Sequence, residues 1–477
     1  MGGEEHNHRH AVQNLSRMPH GGGIIMRAAF LTIAFLGFLS LGWSCSAFAQ
    51  VWSAEVPETA ASLSVPSRDH RSSVGRGPSD VTQVLRDQDR VNAQLEPNLS
   101  VLQRWYGLKD HLRDAHNLDF VLAYTAVYQR ASEDIVGGAQ GVRLLLDLYD
   151  YLDLSPPPGT PTKEAAGGIA ELAGSWTVVG ANSPNRGSFG FSIESRHKLG
   201  TLIPPQNLFL DAGAYWPTAT AFNEFDLSVL ELYYEQYFAD GAAGFRVGKM
   251  NAFPIYDYMS LKNPKTDFLN AAFNLNPAIG WPSFAFGVAG IVRPVKQLYV
   301  IAGVHDINGG PTRGIQTFFE DKEYFKAVEV GWDSEFDFGN GNIHVLFWDT
   351  DRRSSANTPG SRGFTIGGEQ AYGRLLPFFR YGYSEGGGTP LRHLVAGGIG
   401  LKGVLGRPND AIGAALSWGE PIDNQLFVDQ KAAEIYYRIH ITEQIAFTPS
   451  LQYVKDPPLN LAENELYLFS IRGRAAF

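Results

Sequence analysis

From Leu118 onward, segments of roughly 8–13 residues alternate apolar with polar or small residues, and turn residues separate them. A period of two is the signature of β-strands with two unlike faces. In the last segment Tyr467, Phe469, Ile471, Gly473, Ala475 and Phe477 share one face, while Ser470, Arg472 and Arg474 share the other. Ala433, Ile435, Tyr437, Ile439 and Ile441 alternate with Glu434, Tyr436, Arg438 and His440 in the same way. After a turn at Thr442–Gln444, the pattern resumes with Ile445, Phe447, Pro449, Leu451 and Tyr453.

The pattern predicts sixteen strands. They start near Leu118, Val142, Ser188, Leu227, Ala243, Ser283, Leu298, Tyr324, Ile343, Phe364, Arg374, Leu394, Ala411, Ala433, Ile445 and Leu466. Connections after even-numbered strands are short: Asp240-Gly241, Pro294-Val295, Gly339–Gly341, a link near Tyr372 and Thr442–Gln444. Those after odd-numbered strands are long: Asn251–Pro282, Asp306–Glu323, Asp351–Gly363 and Pro421–Gln430. Short turns alternating with long loops, around an even strand number, describe a membrane β-barrel. One stretch breaks the phase. Tyr151 to Gly187 follows an even strand yet is long, so Ser175–Gly180 is an additional piece of strand or an early strand is misplaced.

Alternation alone does not say which face is wet. A soluble sheet buries its apolar face, whereas a barrel in lipid turns it outward and lines a wet lumen with the polar one. Three features favour the barrel: aromatics at strand ends, a closing strand that stops on Phe477, and an export signal. The signal starts at Met26-Arg27, runs apolar through Ala28–Trp43 and ends Ala47-Phe48-Ala49, with cleavage expected after Ala49. A membrane-anchoring helix is the other reading of this run. Residues 1–25 precede it, and Met26 is an alternative initiator. The organisation expected is therefore an extension and signal over 1–49 (signal 26–49), a periplasmic lead over 50–117, and a barrel over 118–477. Residues 50–100 are rich in Ser, Pro, Arg and Asp, with short helices expected near Val81–Leu95 and Val101–Leu112.

Composition narrows the chemistry. The formal net charge is -10 and no basic run or basic helix stands out, which argues against a nucleic-acid partner. The one cysteine, Cys45, lies within the signal, so the exported chain carries no disulfide and no thiolate metal site. His6, His8 and His10 precede the signal, and the other histidines lack ligand spacing. Gly386-Gly387-Gly388 forms a loop with no helix after it, not a phosphate cradle. No catalytic residue, metal or cofactor is expected.

Several short motifs occur in order along the chain. They are Trp105-Tyr106-Gly107-Leu108, then Leu112 and Leu118-Asp119-Phe120, then Phe245-Arg246-Val247-Gly248-Lys249 after the acidic-aromatic Glu231–Tyr237, then His305-Asp306-Ile307-Asn308-Gly309. Near the end come Glu434-Ile435-Tyr436-Tyr437-Arg438, Thr448-Pro449-Ser450-Leu451-Gln452-Tyr453 and Asp456-Pro457. In this order and spacing the chain resembles the carbohydrate-selective, OprB-like porins from about Trp105 to Phe477. The resemblance implies an all-β, antiparallel, sixteen-stranded barrel in the bacterial outer membrane through which mono- and oligosaccharides diffuse. Its partners would be permeating sugars and outer-membrane lipid, with monomer and homo-oligomer both open.

A sugar pore needs a wet wall with hydrogen-bonding groups and flat aromatic faces, and binding weak enough for release. The lumen parity offers Arg143, Glu194, Arg196, Glu231, Tyr233, Glu235 and Arg246, then Glu329, Asp333, Glu335, Trp348, Arg380, Glu434, Tyr436, Arg438, Arg472 and Arg474. Ten are singled out as pore-lining: Arg246, Glu231, Tyr233, Glu329, Trp348, Glu434, Tyr436, Arg438, Arg472 and Arg474. Among these Glu434, Arg438 and Arg472, with Arg246, are expected at the narrowest point. A porin for other solutes, or a soluble secreted all-β carbohydrate-binding protein, is the alternative. N-terminal sequencing of the exported protein is expected to read from Gln50; any other start would refute the cleavage point.

Overall fold

The computed structural model describes residues 74–85, 100–132, 162–422, 427–460 and 463–477. A helix at Ser100–His116 leads into the sheet. Arg113 and His116 sit in its last turn, where cations complement the helix dipole. Asn117, at φ 53°, ends it in the left-handed conformation that Asn tolerates.

Sixteen strands follow among the described residues. The first eight are β1 (Leu118–Ala131), β2 (Glu164–Val179), β3 (Gly187–Lys198), β4 (Phe225–Phe238), β5 (Ala243–Met250), β6 (Ala285–Val292), β7 (Leu298–Asp306) and β8 (Tyr324–Phe336). The second eight are β9 (Gly339–Thr350), β10 (Ser361–Gln370), β11 (Leu375–Glu385), β12 (Leu391–Val404), β13 (Arg407–Pro421), β14 (Gln430–His440), β15 (Ile445–Lys455) and β16 (Glu465–Ala476). Each pairs antiparallel with its sequence neighbours, and β16 pairs with β1 from Ala476 opposite Ala123 to Leu468 opposite Ala131. Phe477 and Leu122 exchange two backbone hydrogen bonds, at 2.9 and 3.1 Å, that finish the seam. The sheet is thus a closed barrel with no free edge.

The second strand corrects the sequence reading. The strand expected near Val142 lies outside the described residues; the second described strand is Glu164–Val179, which takes in most of the piece expected at Ser175–Gly180. Its Ala- and Gly-rich run, Ala165 to Gly168, lacks the large alternating side chains that mark the other strands. With β2 in place the phase is regular. One end of the barrel has the connections 180–186, 239–242, 293–297, 337–338, 371–374, 405–406 and 441–444. The turn expected at Gly339–Gly341 falls at 337–338, since Gly339 already pairs with Phe336. The other end has the long loops 199–224, 251–284, 307–323 and 351–360; 386–390 is the compact exception.

The faces are inside out relative to a soluble sheet. On β8, Val328, Val330, Trp332 and Phe336 are exposed, while Ala327, Glu329 and Asp333 are buried. On β16, Tyr467 and Phe469 point out and Ser470 and Arg472 point in. Exposed apolar side chains recur around the ring, among them Trp176, Phe189, Leu232, Phe347, Ile399, Leu416, Ile435 and Leu451. Aromatics cluster at both rims. Phe336, Phe338 and Tyr372 stack in sequence at 5.0 Å at the short-turn end, and Tyr453 and Tyr467 lie 5.1 Å apart near the long-loop end. An apolar belt between aromatic girdles is the surface that lipid demands. Val330→Arg is expected to cost about 2–4 kcal/mol at mid-membrane depth, read from reversible unfolding in bilayers. A cost no larger than that of an Arg placed in an outer loop would count against the belt.

Candidate pore and constriction

Residues 251–284 do not project from the barrel; they fold back into it. The loop carries too much apolar surface for water: Phe253, Ile255, Tyr256, Tyr258, Met259, Leu261, Phe268, Leu269, Phe273, Ile279 and Trp281 are all buried. One half packs against Leu376, Phe378, Tyr436, Leu466 and Leu468 of the wall, and the other against Tyr233, Tyr299, Phe325, Leu346 and Trp348. Loop 199–224 joins it from the side. Trp216 Nε1 donates to Asn270 Oδ1 at 2.8 Å, and Ala271 N to Pro217 O at 2.9 Å.

Charged wall residues hold this loop by its backbone. The two oxygens of Glu434 accept from Leu269 N and Asn270 N, both at 2.9 Å. Arg472 donates to Pro264 O at 2.7 Å and Asp267 O at 2.8 Å. Arg438 pairs with Asp267 at 3.1 Å. On the far wall Glu329 accepts from Asp257 N at 2.5 Å, and Arg380 pairs with the Asp257 carboxylate at 3.0 Å. Burial raises the Asp257 carboxyl, but Arg380, His344 and Lys262 outweigh it and hold the group below the usual carboxylate range. Lys262 donates to Phe253 O, Tyr256 O and Asp257 O at 2.5, 2.9 and 3.2 Å. Its burial pulls the ammonium down to about 7, against the pull of Asp257.

Beside the loop lies a cavity of about 220 Å³. Across β16, β2 and β3 its side carries a chain of charges. Arg474 lies 3.4 Å from Glu171. Lys265, from the loop, bridges Glu171 at 2.6 Å and Glu194 at 2.7 Å, and Arg196 pairs with Glu194 at 2.7 Å. Glu171, Glu194, Arg196 and Lys265 line the cavity, and so do Tyr215, Trp216, Phe253 and Trp281. The cavity is therefore lined by both paired charges and aromatic rings.

The sequence profile of the carbohydrate-selective porin, OprB family matches residues 187–365 and 349–477, more than half of the chain. The chain belongs to this family. Among solved structures, the high-pH structure of Pseudomonas putida OprB is similar with a TM-score of 0.61 and 13% identity, over 78% of this chain and 97% of that one. Its low-pH structure gives 0.46 and 14% identity over 78% and 96%. A mutant Rh. blastica porin gives 0.41 and 11% identity over 76% and 100%. The first of these likenesses bears on the fold. No curated protein matches the chain.

In this porin the ten residues expected in the lumen all lie on the inner side of the wall, but they are not together. Glu434, Tyr436, Arg438 and Arg472 converge behind residues 264–270, with Tyr436 Oη 3.3 Å from Asp267. Glu329 is behind Asp257 and also accepts from Tyr299 Oη at 3.0 Å. Trp348 stacks on Phe325 inside the apolar cluster. Arg246 is separate from the Glu434 group. Its guanidinium lies 3.9 Å from the Tyr233 ring centroid and pairs with Glu235 at 2.9 Å and Asp80 at 2.7 Å. Glu231 accepts from Asn251 N at 2.9 Å and lines the cavity, and Arg474 belongs to the charge chain. Of the wider set, Glu335 pairs with Lys296 at the short-turn rim, and Arg143 lies outside the described residues.

Strand parity missed Lys265, Trp281, Phe253 and Trp216, because all four come from loops. Their signal was present in the loop itself: a long connection that is this apolar has to be covered. Glu434→Ala is expected to leave two buried loop N–H groups without acceptors, at about 1–3 kcal/mol each. The loosened loop should raise open-channel current noise in planar bilayers; noise and unfolding midpoint equal to the parent would refute the pinning role.

Proposed function

We infer that this protein is an outer-membrane porin through which sugars diffuse along a passage narrowed by residues 251–284. Family membership carries the solute class. The observation that carries the mode of action is the cavity beside that loop, where alternating charges face aromatic rings. Two cations (Lys265 and Arg196) sit among three carboxylates (Glu171, Glu194 and Glu231), and Lys265 and Arg196 are each ion-paired, so cation and carboxylate stand side by side on the wall. Such a wall offers fixed donors and acceptors to hydroxyls without a strong field for a charged solute. Aromatic faces such as Trp216 and Trp281 give a pyranose ring an apolar contact.

On this reading Glu329, Glu434, Arg438 and Arg472 act by holding the loop, and direct solute contact falls to Glu171, Glu194, Arg196, Glu231 and Lys265. The exposed belt meets outer-membrane lipid. Residues 26–49 act as the export signal, 50–117 as the lead, of which 74–85 bind inside the barrel and not in the periplasm, and 118–477 as the porin domain. The channel needs no group that makes or breaks a covalent bond. A soluble binding protein would have no use for the exposed apolar belt between aromatic rims.

Liposome swelling is expected to be faster with neutral mono- and disaccharides than with amino acids of matched size. Equal rates would make this a general porin. Lys265→Met removes the bridge between Glu171 and Glu194 and should shift ion selectivity towards cations while weakening sugar block of the current. An unchanged reversal potential would take Lys265 out of the passage.

A further inference from the structure

Residues 74–85 lie inside the lumen at its short-turn end. Their contacts run from one wall to the opposite one. Val74 N donates to Tyr237 Oη at 3.1 Å, near the end of β4. Arg76 pairs with Asp333 of β8 at 2.7 Å, and its guanidinium lies 3.9 Å from the Tyr299 ring centroid of β7. Asp80 pairs with Arg246 of β5 at 2.7 Å. Val81 and Leu85 then pack with Val121, Ala123, Ala173 and Ala476 on β1, β2 and β16. In the closed ring β8 and β16 stand on opposite sides, so the segment crosses the opening.

It is also fastened from above. Arg76 N and Gly77 N donate to Pro254 O at 2.8 and 2.7 Å, and Asn263 Nδ2 donates to Pro78 O at 3.2 Å. The fit leaves no room for side chains at two positions. A Cβ on Gly75 would overlap the Asp80 carboxylate and the Arg246 guanidinium, and one on Gly77 would press on Lys262 and the Pro254 backbone. Arg76, Asp80, Asp333 and Arg246 are all nearly inaccessible to solvent. Buried charges persist when they are paired, and both pairs here join the segment to the wall. Ser79, Val81 and Val84 belong to the lining of the cavity described above, so the segment shapes the passage itself.

We propose that residues 74–85 form an internal strap across the short-turn mouth of the pore, held by the Arg76–Asp333 and Asp80–Arg246 pairs, and that this strap limits flow through the barrel. The inference goes beyond the sugar reading, since ion current tests it whichever solute the pore carries. The chain's single cysteine is Cys45, ahead of the expected cleavage point, so Leu85→Cys, at a buried position off the cavity, introduces the one thiol of the exported protein. In the otherwise unchanged porin this thiol should resist maleimide. Adding Arg76→Gln and Asp80→Asn should expose it and raise single-channel conductance severalfold, with heat-modifiable gel mobility confirming the folded barrel. Conductance unchanged with the thiol exposed would overturn the strap as the limiting element. A thiol that stays protected would overturn the two ion pairs as its fastening. Ser79→Trp leaves the pairs intact and adds bulk to the passage. It should lower conductance, and no change there would also overturn the proposal, including where the double variant fails to fold.

Discussion

Backbone groups inside a bilayer have no water to turn to, so every N–H and C=O must find its partner within the protein. The rest of this structure follows from that constraint. A chain that crosses as strands satisfies it only by closing the sheet, and here the closure is made by β16 against β1 and by the reciprocal bonds of Phe477 and Leu122. Closure separates two environments. The outer face is left to Val330, Phe469 and their kind, and the inner face is free to carry arginine and glutamate.

A ring of sixteen strands encloses more space than wall side chains fill, and the long loops take up the remainder. Loop 251–284 enters because its own composition will not stay in water. Its entry brings backbone amides and carbonyls into a confined interior, where each costs free energy unless paired. Glu434, Glu329, Arg472 and Lys262 meet that need. Buried charge on the wall thus has a structural task before it has a transport one. The cavity beside the pinned loop takes its charges from both wall and loop. Lys265 belongs to the loop, yet its partners Glu171 and Glu194 belong to β2 and β3. Loop position and pore electrostatics are therefore one property.

Alternation of period two was enough to read most strands, their inward and outward faces, and the alternation of short and long connections. It was enough because each strand faces lipid on one side, and lipid forces a strict choice at every second residue. Where the choice is weak the reading slipped: the small residues Ala165 to Gly168 fit either face, and only the end of β2, at Ser175–Gly180, was read as a piece of strand. The ordered motifs from Trp105 to Asp456-Pro457 added the family. Candidate lumen residues were legible as a parity, and all ten lie on the inner side of the wall.

The tertiary structure decided which of those residues meet. Glu434, Arg438 and Arg472 share a task because β14 and β16, on either side of β15, place them behind the same stretch of loop, whereas Arg246 turns to Asp80, far away along the chain. Period-two patterning records which side of a sheet a residue faces, but not what lies across the barrel from it. The inward loop and the strap at residues 74–85 have no such period, and many of their contacts join positions more than a hundred residues apart. Local propensity says nothing about such pairs; closure of the ring brings them within reach, and the need to partner buried polar groups selects them.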